Sequence, residues 1–227
     1  MSLRSFALIS CLPPRVFLHK TNFLMRAAYP RLRWRVPVRD KTVYLTFDDG
    51  PIPDVTEFVL DQLARFGAKG TFFCIGDNVR KHPEVLRQLI EAGHGVGNHT
   101  FHHRNGWHTP EAEYLANVRA CQDVLPAGTR LFRPPYGRIT RAQMRALLPD
   151  FEIVMWDVLT GDFSAQLSPE RVLRKTLRYT EPGSIVVFHD SVKAFRVLEY
   201  ALPRTLEALM ERGYRLAALP DSRVGYL

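Results

Sequence analysis

The sequence predicts an α/β protein built on parallel strands, and three observations predict it. Seven short apolar, β-rich segments recur along the 227 residues. Helical patterns lie between most of them. The polar motifs fall just after the predicted strands, where barrels and open α/β sheets alike place their chemistry. Strand and helix in alternation imply parallel strands joined by right-handed crossovers. Seven repeats suit either an open doubly wound sheet or a barrel, and the pattern alone does not choose. With 46% hydrophobic residues, a chain of this length buries one sizeable core and fits a single domain.

The strands are expected at 42–47, 70–75, 95–98, 129–132, 151–156, 184–188 and 214–219. Several are nearly continuous apolar runs, as in strands covered on both faces. Val55, Val59, Leu63 and Phe66 repeat at helical spacing, with Gly67 as the stop. Pro83 opens a second helix that Gly93 closes. Thr109-Pro110-Glu111 opens a third, and Thr140 with Gln143 reads as the capping box of a fourth. Ser168-Pro169-Glu170 opens a fifth. A longer helical stretch runs from Phe195 to Arg212, with an interruption expected at Pro203.

Charge divides the chain into a basic N-terminal arm, residues 1–39, and a neutral body, expected as one domain over residues 40–227. The first acid is Asp40, and eight basic residues precede it: Arg4, Arg15, Lys20, Arg26, Arg31, Arg33, Arg35 and Arg39. The other 23 basic residues balance the 23 acids, so the arm carries the whole net charge of +8. Its large apolar residues, among them Phe17, Phe23, Leu32 and Trp34, point to packing on the outside of the body. Its basic groups are then expected at the surface, with weak contact to an anionic surface as a secondary property. No nucleic-acid motif accompanies them, so nucleic acid is not an expected partner. No apolar run reaches 18 residues, so no transmembrane segment is expected. Leu8-Ile9-Ser10-Cys11 resembles a lipoprotein box, but the apolar run before it is too short for a signal peptide. A cytoplasmic location, or one peripheral to the membrane, is expected. Cys11, Cys74 and Cys121 are odd in number and widely spaced, which argues against disulfides and against a cysteine zinc site.

The chemistry gathers after the strands. Asp48 and Asp49, followed by Gly50 and Pro51, end an apolar strand. Adjacent carboxylates there need a metal ion or an arginine to offset their desolvation. His99 and His103, four apart, suit one metal ion, with His102 as the rival second ligand. With the aspartate pair they supply two imidazoles and a carboxylate, a catalytic ligand set with open positions. Arg133-Pro134-Pro135-Tyr136-Gly137 is a rigid loop able to aim a backbone N–H at an oxyanion. Asp157, Asp162 and His189 follow later strands, and a histidine so placed titrates near neutral pH.

In this order, these motifs resemble those of the polysaccharide deacetylase family, the carbohydrate esterases of family 4 built on the NodB homology domain. The likeness runs from about Thr42 to Leu219 and includes the His99-Thr100-x-x-His103 pattern and Val187-Phe188-His189. It implies a distorted (β/α)7 barrel, TIM-barrel-like, with a divalent metal at its mouth. Asp49, His99 and His103 would hold the metal, and Asp48 would be the general base, oriented by Arg133. The Tyr136 N–H would help bind the oxyanion, and His189 would be the general acid. Many members carry Asp-x-x-Asp-Trp in the fourth motif, whereas Leu159 and Phe163 stand here in place of the first acid and the tryptophan. Asp157 and Asp162 are therefore both candidates for the acid that partners Arg133 or His189. Zinc is the first choice for such a donor set, with cobalt, nickel or manganese as alternatives. The implied activity is removal of N-acetyl groups from an N-acetylated glycan of the N-acetylglucosamine type, chitin oligomers or peptidoglycan. The alternatives are a same-fold hydrolase of a non-sugar amide or an O-acetyl ester and, further off, an inactive carbohydrate-binding module.

Overall fold

Residues 18–220 are described in the computed structural model. The lipoprotein-like box and Cys11 lie outside them. Eight parallel-paired strands form one curled sheet, and the expected barrel-like α/β architecture is what the structure shows. In chain order the strands are β1 (Thr42–Asp48), β2 (Thr71–Cys74), β3 (Gly95–Asn98), β4 (Leu131–Phe132), β5 (Glu152–Ile153), β6 (Val158–Leu159), β7 (Ile185–His189) and β8 (Arg215–Ala217). The sheet order is β5-β4-β3-β2-β1-β7-β6, with β8 on β1. One edge of β1 is shared: β8 pairs with Thr42–Tyr44 and β2 with Thr46–Asp48. All seven expected strands occur. β6 was not expected, because two apolar residues between Asp157 and Thr160 are too short a run to read.

Period-two alternation along β1 sorts its residues between two environments. Val43, Leu45 and Phe47 face outward, into the cluster formed with α2 (Val55–Arg65), β7 and α8 (Val192–Glu211). Tyr44 belongs to the inner cluster with Phe73, Leu131, Val154 and Ile185. Thr46 and Asp48 share the Tyr44 face and continue it toward the mouth, where Arg133 bonds both. The remaining helices are α1 (Phe23–Ala28), α3 (Gly76–Lys81), α4 (Pro83–Glu91), α5 (Glu111–Gln122), α6 (Arg141–Leu147) and α7 (Pro169–Tyr179). The Thr140–Gln143 capping box is present on α6, and the Ser168 hydroxyl caps α7. The interruption expected at Pro203 does not occur: α8 runs through it. The proline removes one N–H donor, but Ala201, Leu202 and Leu206 around it are wholly buried, and that burial outweighs the missing bond.

β5 and β6 end the sheet order, and residues 19–36 pair with backbone at and beside both. Arg33 N–H bonds the Ile153 carbonyl at 2.9 Å, and the Arg33 carbonyl accepts the Met155 N–H at 2.7 Å. On the other side the His19 carbonyl accepts the Leu159 N–H, and the Thr21 N–H bonds the Asp157 carbonyl, both at 2.9 Å. These contacts occupy backbone groups that an open edge would leave unpaired. Leu32, Trp34 and Val36 are buried. The basic groups of this segment are not all left at the surface. Lys20 and Arg35 each reach Asp157 at 2.9 Å, and Arg33 reaches Glu152 at 3.0 Å. The Asp157 carboxylate is wholly buried, so it needs those two cations and the Ser184 hydroxyl, 2.6 Å away, as partners. Replacing Asp157 with alanine is expected to lower the unfolding free energy by about 3 kcal/mol, because both cations then lose a buried partner. Urea denaturation of the Asp157→Ala chain measures this, and an unchanged midpoint would refute it.

Candidate active site

Strand register brings the motifs to one level of the barrel. Asp48 pairs with His189 across β1 and β7, and with Phe73 across β1 and β2. Cys74 pairs with Asn98, and Asn98 with Phe132. His99 and Arg133 are thus the first residues beyond two neighbouring strands. Motifs up to about 140 residues apart in sequence meet because parallel strands in register end together.

Asp49, His99 and His103 present one ligand atom each, all within 4.8 Å of one another. The Asp49 Oδ1 atom lies 3.2 Å from His103 Nε2 and 3.8 Å from His99 Nε2. It is buried and accepts no hydrogen bond, an arrangement that a cation would resolve. His99 Nδ1 is 2.7 Å from the Arg133 carbonyl, which can only accept. The ring hydrogen therefore sits on Nδ1, and the Nε2 lone pair is left for a metal. Burial, aided by the neighbouring His103, pushes the His99 imidazole well below its usual range, and burial lowers His103 too. Both are held neutral, as ligands must be. His102 lies outside this group. It is exposed, stacks edge-on against Phe101, and meets the Asn117 amide at 2.9 Å through Nδ1. These donors fit a divalent cation.

The backbone of these loops is strained. Among the described residues, five non-glycine residues have positive φ, and four of them are Asp49, Thr100, His103 and Tyr136. Such conformations cost about 1–3 kcal/mol each and persist only where surroundings impose them. Asn78 Nδ2 donates to the Asp49 carbonyl at 2.7 Å. Asn98 Oδ1 accepts the Thr100 N–H, and Thr100 Oγ1 accepts the Arg104 N–H.

Asp48 is buried and takes its charge partner from inside the barrel. The Arg133 guanidinium, fully buried, donates through one nitrogen to Asp48 Oδ1 at 2.6 Å and to Thr46 Oγ1 at 2.8 Å. It also donates to the Val154 and Met155 carbonyls and lies over the Phe73 ring. On the other side of the site, Asp162 grips His189 twice. Its Oδ2 accepts the His189 N–H at 2.7 Å, and its Oδ1 meets the ring Nδ1 at 2.8 Å. Burial works against the charged imidazole, but the Asp162 carboxylate, backed by Asp49 and Asp48, outweighs it and lifts His189 to about 9. The structure does not bring Asp157 to either Arg133 or His189. Asp157 precedes β6 and faces Lys20, Arg35 and Ser184, whereas the turn at Gly161, with φ 82, swings Asp162 under β7.

Of the aromatic residues near the motifs, Tyr136 is 60% exposed beside His103, and Phe163 lies edge-on against His189 at 4.8 Å. Trp156 instead packs on the core cluster around Phe132 and against Gly137. Trp107 donates to the Ile139 carbonyl and carries the Arg138 guanidinium over its ring. Sequence reasoning missed Asn78 and Thr160. Thr160 stands 3.1 Å from Asp162 and donates to the Val187 carbonyl. Asn78 is one polar residue on the short helix α3 and Thr160 one in the loop after β6, and a lone polar residue gives no periodic signal that would have marked either.

Comparison with known proteins agrees with this arrangement. Residues 35–153 match the polysaccharide deacetylase family model. A peptidoglycan-N-acetylglucosamine deacetylase of Bacillus cereus is 33% identical over 191 residues, covering 82% of this chain and 69% of that protein. A chitooligosaccharide deacetylase of Bradyrhizobium sp. is 33% identical, covering 80% of this chain and 90% of its own. A crystal structure of a peptidoglycan N-acetylglucosamine deacetylase superposes with a TM-score of 0.80 at 30% identity, covering 88% of this chain and 95% of the other. The motifs, the curled parallel sheet and these likenesses agree: the chain belongs to the polysaccharide deacetylase family.

Proposed function

We propose that this chain is a metal-dependent hydrolase that removes N-acetyl groups from an N-acetylglucosamine-type polysaccharide, either chitin oligomers or peptidoglycan. The observation that carries the reading is the meeting, at one mouth, of three neutral or anionic ligands with two oppositely equipped proton-transfer groups. Asp49, His99 and His103 hold one divalent ion, with zinc the first choice for two imidazoles and a carboxylate, and cobalt, nickel or manganese able to occupy the same donors. When bound, the ion supplies Lewis acidity, polarising the acetamide carbonyl and acidifying the attacking water.

The chain's own residues do the rest. Asp48 takes the proton of the water as it attacks, and Arg133 holds that carboxylate in place. The Tyr136 N–H, presented by a backbone with φ 60, meets the oxygen that gains charge. His189 gives its proton to the departing amine. Because Asp162 occupies Nδ1, the proton to be donated is on Nε2. Tyr136 and Phe163 flank the cleft and supply apolar walls for the sugar and the acetyl methyl. Relatives acting on peptidoglycan and on chitooligosaccharides support the sugar class.

Purified chain is expected to release acetate from N-acetylglucosamine oligomers or peptidoglycan and to stop on chelation. His103→Ala should lose the metal in elemental analysis, and His102→Ala should keep it. Release from O-acetyl esters alone would move the substrate assignment, and the reverse histidine result would move the ligand assignment. Asp48→Asn retains shape and removes the base, so metal should stay bound while turnover falls by about 100-fold or more. Near-normal turnover in that variant would rule out Asp48 as the base.

The acid form of His189 persists up to about pH 9, so kcat/KM is expected to fall as pH rises through that region. Asp162→Asn removes the anion that raises the group and should move this alkaline limb to lower pH by about one unit or more. A limb that stays in place in Asp162→Asn and in His189→Ala would assign the proton donor elsewhere.

A further inference from the structure

The turn that carries Asp48 and Asp49 is held by a carboxyl that the mechanism does not use. Asp190 follows His189 at the end of β7 and is wholly buried. Its Oδ1 accepts the Gly50 N–H at 3.1 Å, and its Oδ2 accepts the Thr56 hydroxyl at 2.7 Å. Thr56 in turn accepts the Ile52 N–H at 2.8 Å, and the Asp190 N–H donates to the Asp48 carbonyl at 3.0 Å. A single residue therefore ties positions 48, 50 and 52 of the turn to the first turn of α2. Asp49 sits inside this tied segment with φ 86, a conformation that an untied aspartate rarely keeps. A Cβ at Gly50 would overlap the Asp190 carboxyl, so glycine is needed there to make room for it.

We propose that Asp190, through Gly50 and Thr56, is a positioning residue that holds the strained Asp49 turn so that its carboxylate faces His99 and His103. This rests on Asp49 being a metal ligand. Without the tie, the turn relaxes toward ordinary negative φ and carries the carboxylate away from the two imidazoles. Asn78, on the Asp49 carbonyl, still holds the other side, so the site loosens without collapsing. Asparagine at 190 keeps the Gly50 bond through Oδ1, and its amide can donate to Thr56 Oγ1, which has a second lone pair beside the one that takes the Ile52 N–H.

The experiment is a zinc titration by calorimetry on the full wild-type chain and on Asp190→Ala, Asp190→Asn, Thr56→Val and Thr56→Ser, with thermal unfolding of the metal-free proteins in parallel. Asp190→Ala and Thr56→Val are expected to fold and to bind zinc about 10- to 100-fold more weakly. Asp190→Asn and Thr56→Ser are expected to recover most of that loss. Wild-type zinc affinity in Asp190→Ala would overturn the proposal. If that variant does not fold, wild-type affinity in Thr56→Val would do so. A wild-type chain that binds no zinc or other divalent ion would instead overturn the assignment of Asp49 as a ligand.

Discussion

A fully buried guanidinium is the constraint around which this barrel is arranged. Arg133 has no water to solvate it, so its charge must be met by protein groups. Asp48 supplies the charge, and the Thr46 hydroxyl and the Val154 and Met155 carbonyls take further hydrogens. Two parts of the sheet are committed to it, the end of β1 and the residues beyond β5, while Arg133 itself stands at the start of the loop after β4. The Arg133 carbonyl also fixes the tautomer of His99. One residue thus connects the carboxylate at the mouth, the curl of the sheet and the orientation of an imidazole. Removing either partner of such a pair leaves an uncompensated buried charge, which is far more destabilising than never having built the pair.

The loops around this centre adopt conformations that their sequences alone disfavour. Asp49, Thr100, His103 and Tyr136 all have positive φ, although none is glycine. Local side chains offset the cost: Asn98 and Thr100 satisfy N–H groups of the second motif, Asn117 pins the backbone of Phe101 and His102, and Asp190 and Asn78 hold the first. The strain has a geometric result. It turns His103, and not His102, toward Asp49, although both lie within one helical turn of His99.

The fourth motif departs from the family pattern. Leu159, where many members have an acid, lies in β6 and bonds through its N–H to the His19 carbonyl. Asp162 instead meets His189 at both its backbone N–H and its ring Nδ1. Phe163 keeps an aromatic face against that histidine without the indole of a tryptophan. Asp157 is drawn into a different task, in which the N-terminal segment supplies two cations to its buried carboxylate.

The sequence by itself determined the strand-and-helix order, because apolar runs and helical periodicity are local patterns. It also determined which residue types end the strands, and the five motifs in order were specific enough to indicate the family. The strand-and-helix pattern alone did not choose between an open sheet and a barrel, since curvature depends on packing between strands distant in the chain; the barrel was implied only through the family resemblance. β6 was too short to carry a pattern of its own. Spacing alone left His102 and His103 open and the family pattern pointed to His103; the positive φ that turns it toward Asp49 is a property of the folded loop. The division of labour between Asp157 and Asp162 was settled by the turn at Gly161 and by cations from residues 20 and 35, more than 120 positions away. The burial of Arg133 and Asp190 likewise became visible only when parallel strands in register brought Asp48, His189 and Phe73 side by side, because a buried charge is defined by what surrounds it in space.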